Sequence, residues 1–126
     1  MRTERAVLSK LSESEFKVLI VQVILNTKVE EALELLSEHY HVGVPRLKVG
    51  LPARHGKNTL GCYVAKNQTI CVLNSDVFKE PFIILHEFYH HMRTSVDKKH
   101  RGTEKYANSF AMEFIDTYRS IGKCLR

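Results

Sequence analysis

Hydrophobic and polar positions along this chain change their spacing from helical to alternating and back again. Ser12 and Glu15 fit the S-x-x-E capping box, and a dense apolar run follows them as far as Leu25. The run is rich in β-branched residues, which also suit a buried strand, but the capping box and the helical spacing favour a helix. A second match to the capping pattern begins at Thr27 and indicates a break near Asn26.

Residues 28–40 carry apolar side chains at helical spacing, which predicts a second, amphipathic helix. The apolar stripe consists of Val29, Ala32, Leu33, Leu36 and Tyr40. Gly43 and Pro45 follow and are expected to end this helix. Residues 1–10, ahead of the first helix, are expected to form a short flexible lead-in.

Residues 46–74 show the alternation that is typical of β-strands. A first run, 47–51, is closed by Pro52, and the polar stretch 53–59 predicts a loop. The sheet is expected to end at Asn74, where turn residues begin.

Two further runs, 60–65 and 69–73, flank Lys66-Asn67-Gln68 and predict a β-hairpin. The turn register is ambiguous by one residue, so the sequence leaves open whether Cys62 faces Cys71. The run 69–73 is interpreted as the outer strand of the hairpin, available to pair with an extended peptide.

A third helix is predicted over about 80–93, because Pro81 suits a first helical turn and no further proline or glycine follows until Gly102. Its apolar face consists of Ile84, Leu85, Phe88 and Met92, and its opposite face carries His86, Glu87 and His90. The helix therefore combines an apolar back with a polar face that bears three chemically active groups.

His86, Glu87 and His90 form the pattern H-E-x-x-H. Histidines four apart lie one turn from each other on a helix, so both imidazoles can point at one metal ion. The glutamate between them is close enough to act on a metal-bound water without being a ligand. This pattern is typical of zinc peptidases and predicts one Zn2+ per chain, with Glu87 as the general base.

A catalytic zinc site needs a third protein ligand. The downstream candidates are His91, Asp97, His100, Glu104 and Glu113. His91 lies about 140° around the helix from His86 and is expected behind the site or at the surface. Glu104 is better placed, in the first turn of a last helix predicted over 104–120, whose Ala107 and Ala111 permit close packing on the His-Glu helix. Compensation of the helix dipole by Glu104 is the alternative that stays open.

The segment Glu104-Lys-Tyr-Ala-Asn-Ser-Phe-Ala111 resembles the E-x-x-A-[ND]-x-F-A signature that follows H-E-x-x-H in ImmA/IrrE-type metallopeptidases. These enzymes are gluzincins, and the small minigluzincins are similar. The resemblance implies that His86, His90 and Glu104 bind zinc and that Glu87 is the catalytic base. It also implies an α+β fold: a minimal zincin-like metallopeptidase domain with N-terminal helices, a small twisted sheet, the HExxH helix and the third-ligand helix.

The motif match covers only residues 86–111, and the chain departs from the family in two respects. Tyr89 stands where the family has a glycine before the second histidine, and the chain carries no recognisable DNA-binding or sensory domain. The regulatory role of family members is therefore not carried over.

Composition places few further limits. Hydrophobic content of 44% and charged content of 26% over 126 residues suit one globular domain. No apolar run is long enough to span a bilayer and no secretion signal is evident, so a cytoplasmic location is expected. Three cysteines without a C-x-x-C pair argue against a disulfide framework, although a bridge between Cys62 and Cys71 stays open. The net charge of +5 admits weak contact with nucleic acid.

The expected partner is a peptide or protein substrate, and the apolar N-terminal helix offers a surface for a homodimer. The alternative is a latent or non-catalytic zincin-fold module that binds a partner. A SprT-like, nucleic-acid-associated protein would need a third histidine, for which only His100 is available, and the endoribonuclease spacing H-x3-H-x5-H fails at Val96. Tyr63, Tyr106 and His100 are the candidates for stabilising an oxyanion.

Overall fold

A small sheet lies between two pairs of helices along the chain in the computed structural model, which describes residues 11–53, 58–96 and 103–122. The elements of these residues are α1 (Glu13–Leu25), α2 (Val29–Tyr40), β1 (Arg46–Val49), β2 (Gly61–Val64), β3 (Thr69–Val72), α3 (Pro81–Val96) and α4 (Thr103–Gly122). This arrangement confirms the predicted α+β class. The predicted lead-in and part of the loop over 53–59 lie outside the described residues. No helix of the described part is long and apolar enough to cross a membrane.

Helix α1 begins as its sequence predicts. The Ser12 hydroxyl accepts a hydrogen bond from the Glu15 amide at 3.1 Å, and the Glu15 carboxylate accepts one from the Ser12 amide at 3.0 Å. This complete capping box satisfies two amides that have no partner inside the helix. The predicted break after α1 is confirmed, because the helix ends at Leu25, Asn26 caps it and Thr27 has a positive φ of 62°.

Helix α2 buries the predicted stripe against the core, with Tyr40 only partly buried. It ends at Tyr40, as the segment 28–40 predicts, because His41 adopts the left-handed conformation with φ 59°. A left-handed residue just after the last turn is a common way to end a helix, and it is usually glycine. Gly43 and Pro45 therefore follow the end of α2 and do not cause it.

The three strands lie in the order β1-β3-β2, with β1 parallel and β2 antiparallel to β3. The predicted hairpin is confirmed, and its register places Cys62 opposite Cys71. The interpretation of 69–73 as an outer strand was wrong, because β3 has a paired strand on each side. All four residues of β3 are buried, as expected for a central strand.

Helix α3 buries the predicted apolar face, since Ile84, Leu85 and Phe88 are fully buried. It continues to Val96, beyond the predicted end, and residues 97–102 lie outside the described part. Helix α1 also contributes to this core through Phe16, Ile20, Val21 and Ile24. The most apolar face of α1 therefore packs within the chain.

Helices α3 and α4 pack closely, because Ala107 and Ala111 of α4 are both completely buried. Small side chains at a helix contact permit short distances between the two axes. Phe114, one turn further along α4, is also fully buried and anchors the helix in the core. The first turn of α4, with Glu104, is thereby held beside the polar face of α3.

Replacing Ala107 by leucine should destabilise the fold by about 1–3 kcal/mol, because a fully buried contact has no room for the added atoms. Urea denaturation measures the change in the free energy of unfolding. Ser109→Leu is the matched control, since Ser109 is exposed on the same helix and its substitution should change stability by no more than about 0.5 kcal/mol. Equal stability of the two variants would contradict the close packing of α3 on α4.

Candidate metal centre

Three potential ligands converge where α3 meets the start of α4. The Nε2 atoms of His86 and His90 are 3.2 Å apart. The Glu104 carboxylate lies 3.2 Å from His86 Nε2 through one oxygen and 2.8 Å from His90 Nε2 through the other. All three thus offer a ligand atom within 4.8 Å of the other two.

These separations suit a tetrahedral zinc site. Ligand atoms at about 2.0–2.1 Å from zinc and at the tetrahedral angle lie about 3.3 Å from one another. The three measured separations, 3.2, 3.2 and 2.8 Å, are close to that value. Two imidazole nitrogens and one carboxylate oxygen are also ligand types that zinc prefers.

The tautomer of the His86 imidazole agrees with a metal site. Its Nδ1–H donates a hydrogen bond to Oδ1 of Asn108 at 2.9 Å. In the neutral imidazole Nε2 is then an acceptor. The contact of such an acceptor with a carboxylate oxygen is favourable only with a proton or a cation between them, so the arrangement of His86 and Glu104 suits either of the two at this position.

Asn108 lies one helical turn after Glu104, so α4 supplies both a candidate ligand and the hydrogen-bond partner of another candidate ligand, His86. Partners of this kind fix the tautomer and ring orientation of a metal-binding histidine. The sequence contains Asn108 within the signature segment, but its contact with His86 depends on how α3 and α4 pack.

Exposure differs strongly among the ligands. The Glu104 side chain is 76% exposed, whereas those of His86 and His90 are 12% and 15% exposed. The cluster therefore opens to solvent on the Glu104 side.

Glu87 points towards strand β2 and is only 7% exposed. Burial raises its pKa to about 7, and the nearby negative charge of Glu104 adds to the effect. A cation at the cluster would act in the opposite direction, because it favours the ionised carboxylate. A carboxyl group with its pKa near neutrality suits the exchange of protons with water.

The approach of β2 to α3 depends on Gly61. A Cβ atom at this position would lie 2.8 Å from Cγ2 of Ile83 and 3.7 Å from Cγ of Glu87. Any larger residue would push the strand away from the helix. The sequence shows a glycine at the start of a strand but carries no signal for this contact.

His91 lies in the core, completely buried, so the surface position that the sequence left open is excluded. Its Nε2–H donates to the Gly43 carbonyl at 2.6 Å, and its Nδ1 accepts from the Tyr63 hydroxyl at 2.8 Å. Burial lowers the pKa of His91, and the hydrogen bond to Gly43 raises it by less. The side chain joins α3 to β2 and to the segment after α2.

The remaining candidates do not lie at the cluster or cannot be placed. The Tyr63 hydroxyl donates a hydrogen bond to the buried His91 and therefore points into the core. Tyr106 is 56% exposed in the first turn of α4, and Glu113 forms an ion pair with Lys17 at 3.4 Å. Asp97 and His100 lie outside the described residues.

Comparison with protein-family models, with curated proteins and with solved structures found no match to this chain.

Replacing Asn108 by alanine should weaken zinc binding by about 10- to 100-fold, because His86 loses the partner that fixes its tautomer. Competition with a chromophoric chelator measures the affinity. Asn108→Asp, which keeps the acceptor oxygen, should preserve binding, and Ser109→Ala serves as a control on the neighbouring exposed position. Unchanged affinity in Asn108→Ala would contradict the proposed orientation of His86.

Proposed function

We propose that this protein is a zinc-dependent metallopeptidase with a minimal zincin-like fold. The observation that carries the proposal is the convergence of His86, His90 and Glu104, with acceptor atoms 2.8–3.2 Å apart, beside the buried Glu87. The resemblance of residues 86–111 to the ImmA/IrrE-type gluzincins supports the same assignment of ligands and base. Each chain binds one Zn2+ through two histidines and one glutamate.

The bound zinc, Glu87 and Asn108 have different roles in the proposed reaction. Zinc, when bound, supplies Lewis acidity for the scissile carbonyl and lowers the pKa of water to about 7. Glu87 accepts the proton of the attacking water and passes it to the leaving amine. Asn108 keeps the His86 imidazole in the tautomer that offers Nε2 to the metal.

The substrate pairs with β2 in this proposal. Strand β3 occupies one side of β2, and within the described residues no strand pairs with its other side. Gly61, at the start of β2, lies against Glu87. An extended peptide that adds to this edge by main-chain hydrogen bonds would pass close to the catalytic glutamate.

Glu87→Gln should bind one zinc per chain and lose hydrolysis by at least about 100-fold, because the metal ligands remain and the base is gone. Glu104→Ala should lose zinc. Glu113→Ala is the control, since Glu113 is an exposed glutamate on the same helix and outside the cluster. Metal content is measured by native mass spectrometry, and cleavage by mass analysis of a mixed peptide library.

Each outcome distinguishes the proposal from its rivals. Cleavage by Glu87→Gln at the wild-type rate would exclude Glu87 as the base. Absence of zinc from the wild type after supplementation would exclude the peptidase and favour a partner-binding module. His100→Ala should keep its zinc, and loss of zinc in this variant would indicate a third histidine ligand in place of Glu104.

A further inference from the structure

The hairpin that borders Glu87 carries two free thiols on neighbouring strands. Cys62 of β2 and Cys71 of β3 are direct partners in the antiparallel register. We propose that this pair is a modification site at which a low-molecular-weight disulfide, such as oxidised glutathione, converts the two thiols into a cross-strand disulfide.

The backbone separation of the two cysteines suits such a bridge. The Leu73 amide donates to the Leu60 carbonyl at 2.8 Å, which makes residues 60 and 73 a hydrogen-bonded pair. Hydrogen-bonded and non-hydrogen-bonded pairs alternate along an antiparallel ladder, so Cys62 and Cys71 also form a hydrogen-bonded pair. The Cα atoms of such pairs are about 5.5 Å apart, within the usual range of disulfides, about 4.4–6.8 Å. Their Cβ atoms, at the wide end of about 4.5–5.5 Å, must approach by about 1 Å to reach the usual disulfide separation of about 3.5–4.5 Å, so the bridge draws the two strands together locally.

Both side chains point to the same face of the sheet, as directly opposed residues do. Gly61, the neighbour of Cys62, faces α3, so Cys62 faces away from that helix. The Cys71 thiol is close enough to contribute to the raised pKa of Cys62. The sulfur atoms therefore meet on the face of the sheet opposite the metal centre, and the bridge requires no movement of α3.

The exposure of the two thiols determines which of them reacts first, and the pKa of Cys62 determines the rate. Cys62 is half-buried, whereas Cys71 is only 5% exposed, so the reagent meets Cys62 first. Burial raises the pKa of Cys62 to about 11, with smaller contributions from Cys71 and Glu87. Because the thiolate is the attacking species, oxidation is slow at neutral pH and accelerates as the pH rises.

The reaction proceeds in two exchanges. The Cys62 thiolate attacks one sulfur of the reagent disulfide, forms a mixed disulfide and releases one reagent thiolate, which takes up the proton lost by Cys62. The Cys71 thiolate then attacks the Cys62 sulfur and releases the second reagent thiolate, which takes up the proton lost by Cys71. The protein gives up two electrons and two protons, and the reagent is reduced to two thiols.

The test incubates the reduced, folded protein with oxidised glutathione at about pH 8.5, followed by intact-mass measurement and peptide mapping without reductant. Cys124→Ser should lose the mass of two hydrogen atoms, the wild type should show the same loss apart from a glutathione adduct on Cys124, and both should yield a crosslink between Cys62 and Cys71. Cys124 lies outside the described residues, and its replacement removes the third thiol. Cys62→Ser and Cys71→Ser should form no internal bridge.

Thermal unfolding provides a second readout. The bridge links two strands and restricts the unfolded chain, so the oxidised Cys124→Ser protein should melt at a temperature higher by about 5 °C or more than its reduced form. The change in mass depends neither on zinc nor on peptide cleavage, and both forms are melted at the same zinc content, so that bound zinc contributes equally to the two melting temperatures.

Three results would overturn the proposal: a persistent glutathione adduct on Cys62 of Cys124→Ser, a bridge that involves Cys124 in the wild type, or thiols that stay unmodified while the protein is folded. A bridge that lowers the melting temperature would also overturn it, because the native register would then not accommodate the disulfide.

Discussion

Close packing between α3 and α4 is the contact on which the candidate site depends. His86 and His90 are brought together by helix geometry alone, because they lie one turn apart on α3. Glu104 reaches them from α4. Its side chain is short, so α3 and α4 must lie close together. Two fully buried alanines, Ala107 and Ala111, bring the helices close enough for a separation of 2.8 Å between Glu104 and His90. The same contact places the Asn108 side-chain amide beside His86, where it accepts the hydrogen bond that orients the imidazole.

Local rules account for what could be predicted from the sequence. The capping box at Ser12, the amphipathic stripe of α2 and the polar face of α3 depend on residues three or four positions apart, so their periodicity is visible in one chain. The grouping of Glu104 with the histidines was predicted from a helix face rich in small residues and from a motif resemblance. That grouping agrees with the structure as a geometric arrangement, whereas its occupation by zinc is a proposal.

Long-range pairing accounts for what was missed. The alternation of apolar and polar residues predicts that residues 69–73 form a strand but does not show which strands lie beside it. Strand β1 pairs with the side of β3 that was predicted to be free. The sequence left a surface position for His91 open for a related reason. An imidazole is polar, so its burial is unfavourable unless both nitrogens have partners. Those partners, Gly43 and Tyr63, come from distant parts of the chain.

Adjacent histidines on α3 connect the metal centre to the sheet in two different ways. Successive residues of a helix point about 100° apart, so His90 faces Glu104 while His91 faces the core. The hydrogen bond that Tyr63 donates to His91 links α3 to β2 and favours the rotation of α3 in which His90 points towards Glu104. Strand β2 also places Gly61 against Glu87. The position of this strand thus sets both the orientation of a candidate ligand and the surroundings of the candidate base, which makes β2 the structural link between the sheet and the site.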